Sequence, residues 1–333
     1  MSNWPIFDAT LSWEEAQSAL EEAGLSDGFP LVPPTEARLA SMLIGVSEPD
    51  ASHGMVMPMF GDLTARSVAY NCVLAGALPG AVPVVLTAVA AMLNPDFNLL
   101  GLMTTTGTPA VATIIHGKIS ERLGMNHGVN CLGPGNRANS TLGRSIALVL
   151  RNVGGAKETI GDMATMGQPG KLAFCFPENS RGGLPSLTER LGLGSIDAVT
   201  VLGVSGTMEV LPLDDRDRPE AILTPMAAAL AASSAVAAAG RMRDVGDQVF
   251  LIGPEMVADI TKHGWGVNEI QSFMHHQRCL ALGDVATVES FAPGAADPAS
   301  IQPIVTGGPG VKMTCLPIWA GGSRIQTMPL ISP

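Results

Sequence analysis

Aromatic side chains are scarce in this chain, at 4%, and charged ones are few, at 15%. A core with so few rings must close through small and flexible side chains, which fits the 38 Gly and 17 Met. Few charges combined with 46% hydrophobic residues exclude a largely disordered protein. Positive charge is the scarcer sign: 19 Lys and Arg stand against 30 Asp and Glu, a net charge of −11. That balance argues against nucleic acid or an anionic membrane as a partner.

Long apolar runs are missing as well. The two most apolar stretches, 81–93 and 226–239, fall short of the roughly 20 residues of a membrane span and are rich in Ala, so both are expected as buried helices. Met1-Ser-Asn-Trp-Pro5 has neither a basic nor an apolar leader segment, so no secretory signal is expected. The five cysteines, at 72, 131, 175, 279 and 315, are odd in number and contain no C-x-x-C pair. This excludes a disulfide framework or a zinc ribbon and points to a reducing cytoplasm. Walker A, G-x-G-x-x-G, H-E-x-x-H and G-x-S-x-G patterns are absent, against the commonest nucleotide-binding, metalloprotease and esterase chemistries.

What the chain does have is alternation. Ser12 with Glu15 forms a capping box ahead of a helix ending near Gly24, and Thr35 caps a second. Helices are predicted over 63–77, 82–93, 138–153, 223–239, 254–263 and 267–280. Strands are predicted over 99–105, 111–116, 171–176, 198–204, 248–252, 301–306 and 313–316. Short apolar strands alternating with longer helices predict an α/β fold, a layered mixed or parallel sheet flanked by helices. The acidic run from Leu213 to Pro219 is the best candidate boundary between an N-terminal lobe, 1–212, and a C-terminal lobe, 213–333, though the chain is equally compatible with a single domain.

One loop pattern recurs. Gly133-Pro-Gly-Asn-Arg137, Gly167-Gln-Pro-Gly-Lys171 and Gly308-Pro-Gly-Val-Lys312 each place a cation just beyond a Pro-Gly pair, and Gly321-Gly-Ser-Arg324 is a looser relative. Pro-Gly turns leave backbone N–H groups pointing outward, and a nearby cation adds charge where a carboxylate or phosphate would sit. Taken one at a time, such loops are ordinary element corners; as a set they suggest one anion site. Asn136, Arg137, Asn139, Lys171, Asn179, Lys312, Arg324 and the hydroxyl of Thr105 are the candidate binding residues.

For chemistry, Cys131 lies just before the predicted 138–153 helix, where Arg137 and the helix terminus would lower its pKa, with His127 as a base. Asp27 in a Ser-Asp-Gly turn and Glu178 after a strand are candidate general acids or bases. A buried structural cysteine and locally bonded carboxylates are the competing readings. His53 with Met55, Met57 and Met59 reads better as packing than as a soft-metal tract. His275, His276 and Cys279 offer a partial ligand set on one helix, and a metal site needs more.

Ser26-Asp-Gly-Phe-Pro-Leu-Val-Pro-Pro-Thr35, the segment 130–144, Gly167 to Lys171 with Phe174-Cys-Phe-Pro-Glu-Asn179, and 307–312 with 319–324 together resemble an uncharacterised bacterial family. That family is associated with proteins named for a Cys- or selenocysteine-containing UGSC motif. The motif is absent here, so the resemblance implies one functional unit along nearly the whole chain and carries over no redox role.

The expectation is therefore an enzyme, a hydrolase or lyase, acting on a small carboxylate- or carbonyl-bearing metabolite by non-redox cleavage or addition. No cofactor is predicted and a metal is left open. The alternatives are a non-catalytic ligand-binding or partner subunit, and a metal-dependent enzyme using His275, His276 or Cys279. A homo-oligomer is expected.

Overall fold

The computed structural model describes residues 4–215, 217–238, 247–282, 297–317, 319 and 321–332. The chain opens with α1 (Trp13–Glu22), α2 (Glu36–Met42), the two-residue strands β1 (Met55–Val56) and β2 (Gly61–Asp62), α3 (Ala65–Ala75), α4 (Val82–Met92) and α5 (Leu99–Thr104). Next come β3 (Ala110–His116), α6 (Lys118–Arg122), α7 (Arg137–Asn152), β4 (Cys175–Pro177), α8 (Leu187–Arg190), β5 (Ala198–Val204) and β6 (Met208–Val210). The last part holds α9 (Pro219–Ala238), β7 (Gln248–Ile252), α10 (Pro254–Thr261), α11 (Val267–Leu282), β8 (Ile301–Val305), β9 (Met313–Leu316) and β10 (Gln326–Pro329). The fold is α/β with mixed sheets.

Local chemistry sets many boundaries. Ser12 and Glu15 form the reciprocal capping box, and the Thr35 hydroxyl accepts from the Arg38 N–H. The stretch predicted as a strand over 99–105 is instead α5. The Asn98 side chain caps it by accepting from the Gly101 N–H, and three of its six residues, Leu99, Leu102 and Met103, are buried on one side. The predicted strand over 171–176 is shorter and later, because Pro169–Lys171 forms a single 3₁₀ turn and pairing begins at Cys175.

Two four-stranded sheets are built alike, in the orders β10-β5-β3-β4 and β6-β9-β7-β8. In each, a central strand pairs parallel with the strand reached through two helices: β3 with β4, and β7 with β8. On its other side it pairs antiparallel with the next strand: β3 with β5, and β7 with β9. The registers correspond, since Ile115 faces Pro177 and Val199, while Ile252 faces Val305 and Met313. The two units then exchange edges. β6 follows β5 in the chain but pairs with β9, and β10 follows β9 but pairs with β5. Val210 therefore ends a strand of the second sheet before residue 213 is reached, and the chain returns at 326 to complete the first.

Three apolar clusters define the layers. One joins Ile115, Cys175, Val199 and Val201 to α3, α4 and α7. A second joins Phe250, Ile252, Ile301 and Cys315 to α9, α10 and α11. The third contains Ala112, Ile114, Phe176 and Leu202 from one sheet with Val249, Leu251, Ile304 and Leu316 from the other. The order is helix, sheet, sheet, helix, and alternate residues of each strand serve the two faces. Prolines 177 and 303 sit in β4 and β8, both outermost strands, where a missing N–H is tolerated. Among the described residues no single helix is long and apolar enough to cross a membrane.

Candidate ligand-binding site

The polar loop at 126–139 is largely consumed in holding itself together. Asn136 is the N-cap of α7, accepting from the Asn139 N–H at 3.0 Å and donating to the Gly124 carbonyl at 3.0 Å. Asn139 is buried; its amide donates to the carbonyls of Asn126 and Cys131, and its oxygen accepts from the Asn126 N–H. Arg137 turns away and donates twice to the Gly76 carbonyl, closing the C-terminus of α3. The reading of Cys131 as a thiol with a lowered pKa is corrected here. Burial pushes the thiol up from its ordinary value, and the Thr306 hydroxyl, 3.5 Å from Sγ, only partly opposes that. His127 is exposed, and its carbonyl accepts from the Gly307 N–H at 2.8 Å.

The Pro-Gly loop beginning at Gly308 meets the segment that leads into the first such loop, at Gly133. The Thr306 hydroxyl donates to the Pro177 carbonyl at 3.0 Å, the Asn179 N–H donates to the Val305 carbonyl at 2.7 Å, and a Cβ on Gly308 would lie 2.9 Å from the Val129 Cα. The carboxyl ends of β4 and β8 thus touch, with the 127–131 loop laid over them. Asn179 folds its side chain onto the Arg181 N–H. Lys312 pairs with Glu209 at 3.0 Å on an exposed edge. Arg324 is exposed, with its N–H bonded to the Asp96 carbonyl. Thr105 ends α5, its hydroxyl accepting from the Gly107 N–H.

Behind this junction Glu178 joins three partners that the sequence did not single out, His116, Thr200 and Thr327. His116, at the end of β3, places Nδ1 2.7 Å from Glu178 and Nε2 2.7 Å from the Thr200 hydroxyl, which is 2.8 Å from that of Thr327. Glu178 also accepts from the Leu187 N–H. The row crosses the first sheet from β10 to the residue after β4, and the His116 and Glu178 side chains are only 1% and 3% exposed. The signal was a histidine closing an apolar strand, but only the fold brings Glu178, Thr200 and Thr327 beside it.

The third loop goes elsewhere. Lys171 and Asp27 line a cavity of 370 Å³ at the other end of β3, together with Phe29, Met103, Ala110, Val111, Ile146, Ala147, Leu150, Arg151, Glu158, Asp162 and Phe174. The two ends of this seven-residue strand, Ala110 and His116, are about 20 Å apart at roughly 3.3 Å per residue. The anion loops therefore do not form one site. The cavity floor is apolar, and its rim carries three ion pairs: Asp27 with Arg144, Glu158 with Arg151, and Asp162 with Lys171. Arg144 grips Asp27 through two 2.8 Å bonds, bonds the carbonyls of Phe29 and Pro30, and lies 5.9 Å from the Phe29 ring centroid. Burial works against the Asp27 charge, yet the Arg144 hydrogen bonds and charge hold its carboxyl below the usual range. Arg144, Arg151, Glu158 and Asp162 were not predicted as partners, since their pairings span loops with no fixed spacing.

His275, His276 and Cys279 lie on α11, and among the described residues no three His, Cys, Asp or Glu side chains are grouped to hold a metal. Comparison of this chain with protein-family models, with curated proteins and with solved structures finds no match.

Proposed function

We propose that this protein binds a small anionic metabolite with an apolar body in the 370 Å³ cavity beside α7, the carboxylate end meeting Lys171. The observation that carries this reading is the combination of an apolar floor with a rim whose charges are all paired. The volume lies at the small end of ligand pockets, about 300–1,000 Å³, and suits a molecule rather than a macromolecule. Cations already desolvated beside an apolar wall attract a carboxylate more strongly than they would in water.

The same cavity supports turnover as a second reading, a non-redox cleavage or addition next to the carboxylate. Cys131 and Glu178 lie at the far end of β3, so Asp162 and Lys171 are the acid–base couple that would serve it. Filling the cavity tests the shared claim. Ala147→Phe is expected to fold normally and to abolish the thermal stabilisation given by small carboxylates such as benzoate. Undiminished stabilisation of that variant would place the ligand elsewhere.

A further inference from the structure

The three cations at the cavity are not equivalent. Arg144 is locked by Asp27 and two carbonyls, and Arg151 by Glu158 and the Ser26 carbonyl. The Lys171 ammonium bonds Asp162. Asp162 belongs to a strap, residues 156–166, bounded by Gly155 and Gly167, whose φ angles of 77° and 71° are the left-handed conformations that favour glycine. The N–H groups of Ile160, Gly161 and Asp162 all donate to the Lys157 carbonyl, so this turn is closed on itself. Its contacts to the cavity include the Glu158 and Asp162 ion pairs and, at its two ends, the Ala156 N–H on the Leu150 carbonyl at 3.1 Å and the Thr165 N–H on the Thr106 carbonyl at 2.9 Å. Ile160, Met163 and Met166 on the strap are 64%, 51% and 88% exposed.

We infer that Asp162 holds the place of the ligand's carboxylate on Lys171, and that an incoming monocarboxylate displaces it and releases the strap. The inference rests on the reading of the cavity given above. The charges are balanced: the lining residues Asp27, Glu158 and Asp162 pair with Arg144, which lies behind Asp27, and with Arg151 and Lys171. A ligand carboxylate entering without displacement would leave one uncompensated anion against an apolar wall, which is unfavourable. Asp162 is the carboxylate able to leave: its partner is a flexible ammonium, whereas Glu158, although 74% exposed, is gripped by both terminal nitrogens of the Arg151 guanidinium. Asp27 is held by two bonds in a more buried position.

Hydrogen exchange of the 156–166 segment and calorimetric titration with benzoate, with benzamide as the neutral counterpart, test this. Asp162→Asn retains an oxygen to accept from the Ala164 N–H, so the turn is preserved. In that variant, ligand-free exchange of the strap should rise several-fold, and benzoate should bind roughly tenfold tighter because its internal competitor is gone. Lys171→Met should raise strap exchange and lose benzoate binding, and benzamide should bind to neither the wild type nor Asp162→Asn. In the wild type, saturation with benzoate should raise exchange in the strap. Equal benzoate affinity in the wild type and Asp162→Asn would overturn the displacement while leaving the cavity reading standing. Benzoate binding to neither protein, or binding undiminished by Ala147→Phe, would overturn both.

Discussion

The two ends of β3 use similar side chains in opposite ways. At the His116 end, Glu178, Thr200 and Thr327 form a row closed on itself beneath the junction of β4 and β8. At the Ala110 end, three ion pairs rim an apolar cavity. The first arrangement binds strands to one another, since four segments of one sheet each supply a member. The second leaves space that a ligand can fill. A cluster of polar residues is thus no guide to a site until it is known whether the groups face each other or a cavity.

The comparison is broken most severely at the buried end. His116→Ala deletes a buried ring and takes a hydrogen-bond partner from both the Glu178 carboxyl, 3% exposed, and the Thr200 hydroxyl, a combined loss expected to cost about 3 kcal/mol or more. Denaturant unfolding should register that loss, and the surviving folded fraction should bind benzoate as before. A small loss would mean that the row is incidental to the sheet.

Acid sharpens the contrast at the other end. The Asp27 carboxyl titrates lower in the folded protein than unfolded, so its stabilisation is fully present above the unfolded value, about 4. It is lost as pH falls from there through the folded value. Asp27→Asn should therefore be less stable than the wild type at neutral pH, by about 1–3 kcal/mol, and the gap should narrow below pH 4. Parallel pH curves for the two proteins would count against the Arg144 pair as its source.

The smallest effect is expected at Lys312. Its ion pair with Glu209 is more than half exposed on both sides, so Lys312→Ala should change stability by less than about 0.5 kcal/mol. Benzoate affinity should not move either, because Lys312 does not line the cavity. A clear loss of affinity would restore the single-site view of the Pro-Gly loops.

Much of the architecture was legible from the chain. The capping residues Ser12 and Thr35, the buried Ala-rich helix Val82–Met92 and strands such as Ala198–Val204 follow from local preference and apolar run length, while the end of the second Ala-rich stretch, at 239, lies outside the described residues. The exchanged strands β6 and β10 were not legible. Each has only three or four residues, is mostly exposed or half-buried, and forms by pairing with a strand more than 100 residues away. Nothing within such a segment distinguishes it from a loop until its partner exists.

The Pro-Gly loops show the same division. The residues alone determined that these loops turn sharply and carry cations at their ends, because Pro fixes φ and Gly accepts positive φ. Where each cation goes was a tertiary decision: Arg137 to a helix end, Lys312 to an exposed edge, Lys171 to a cavity. Local conformation is governed by atoms a few bonds apart, whereas the partner of a charge depends on which distant segment the packed sheets bring beside it.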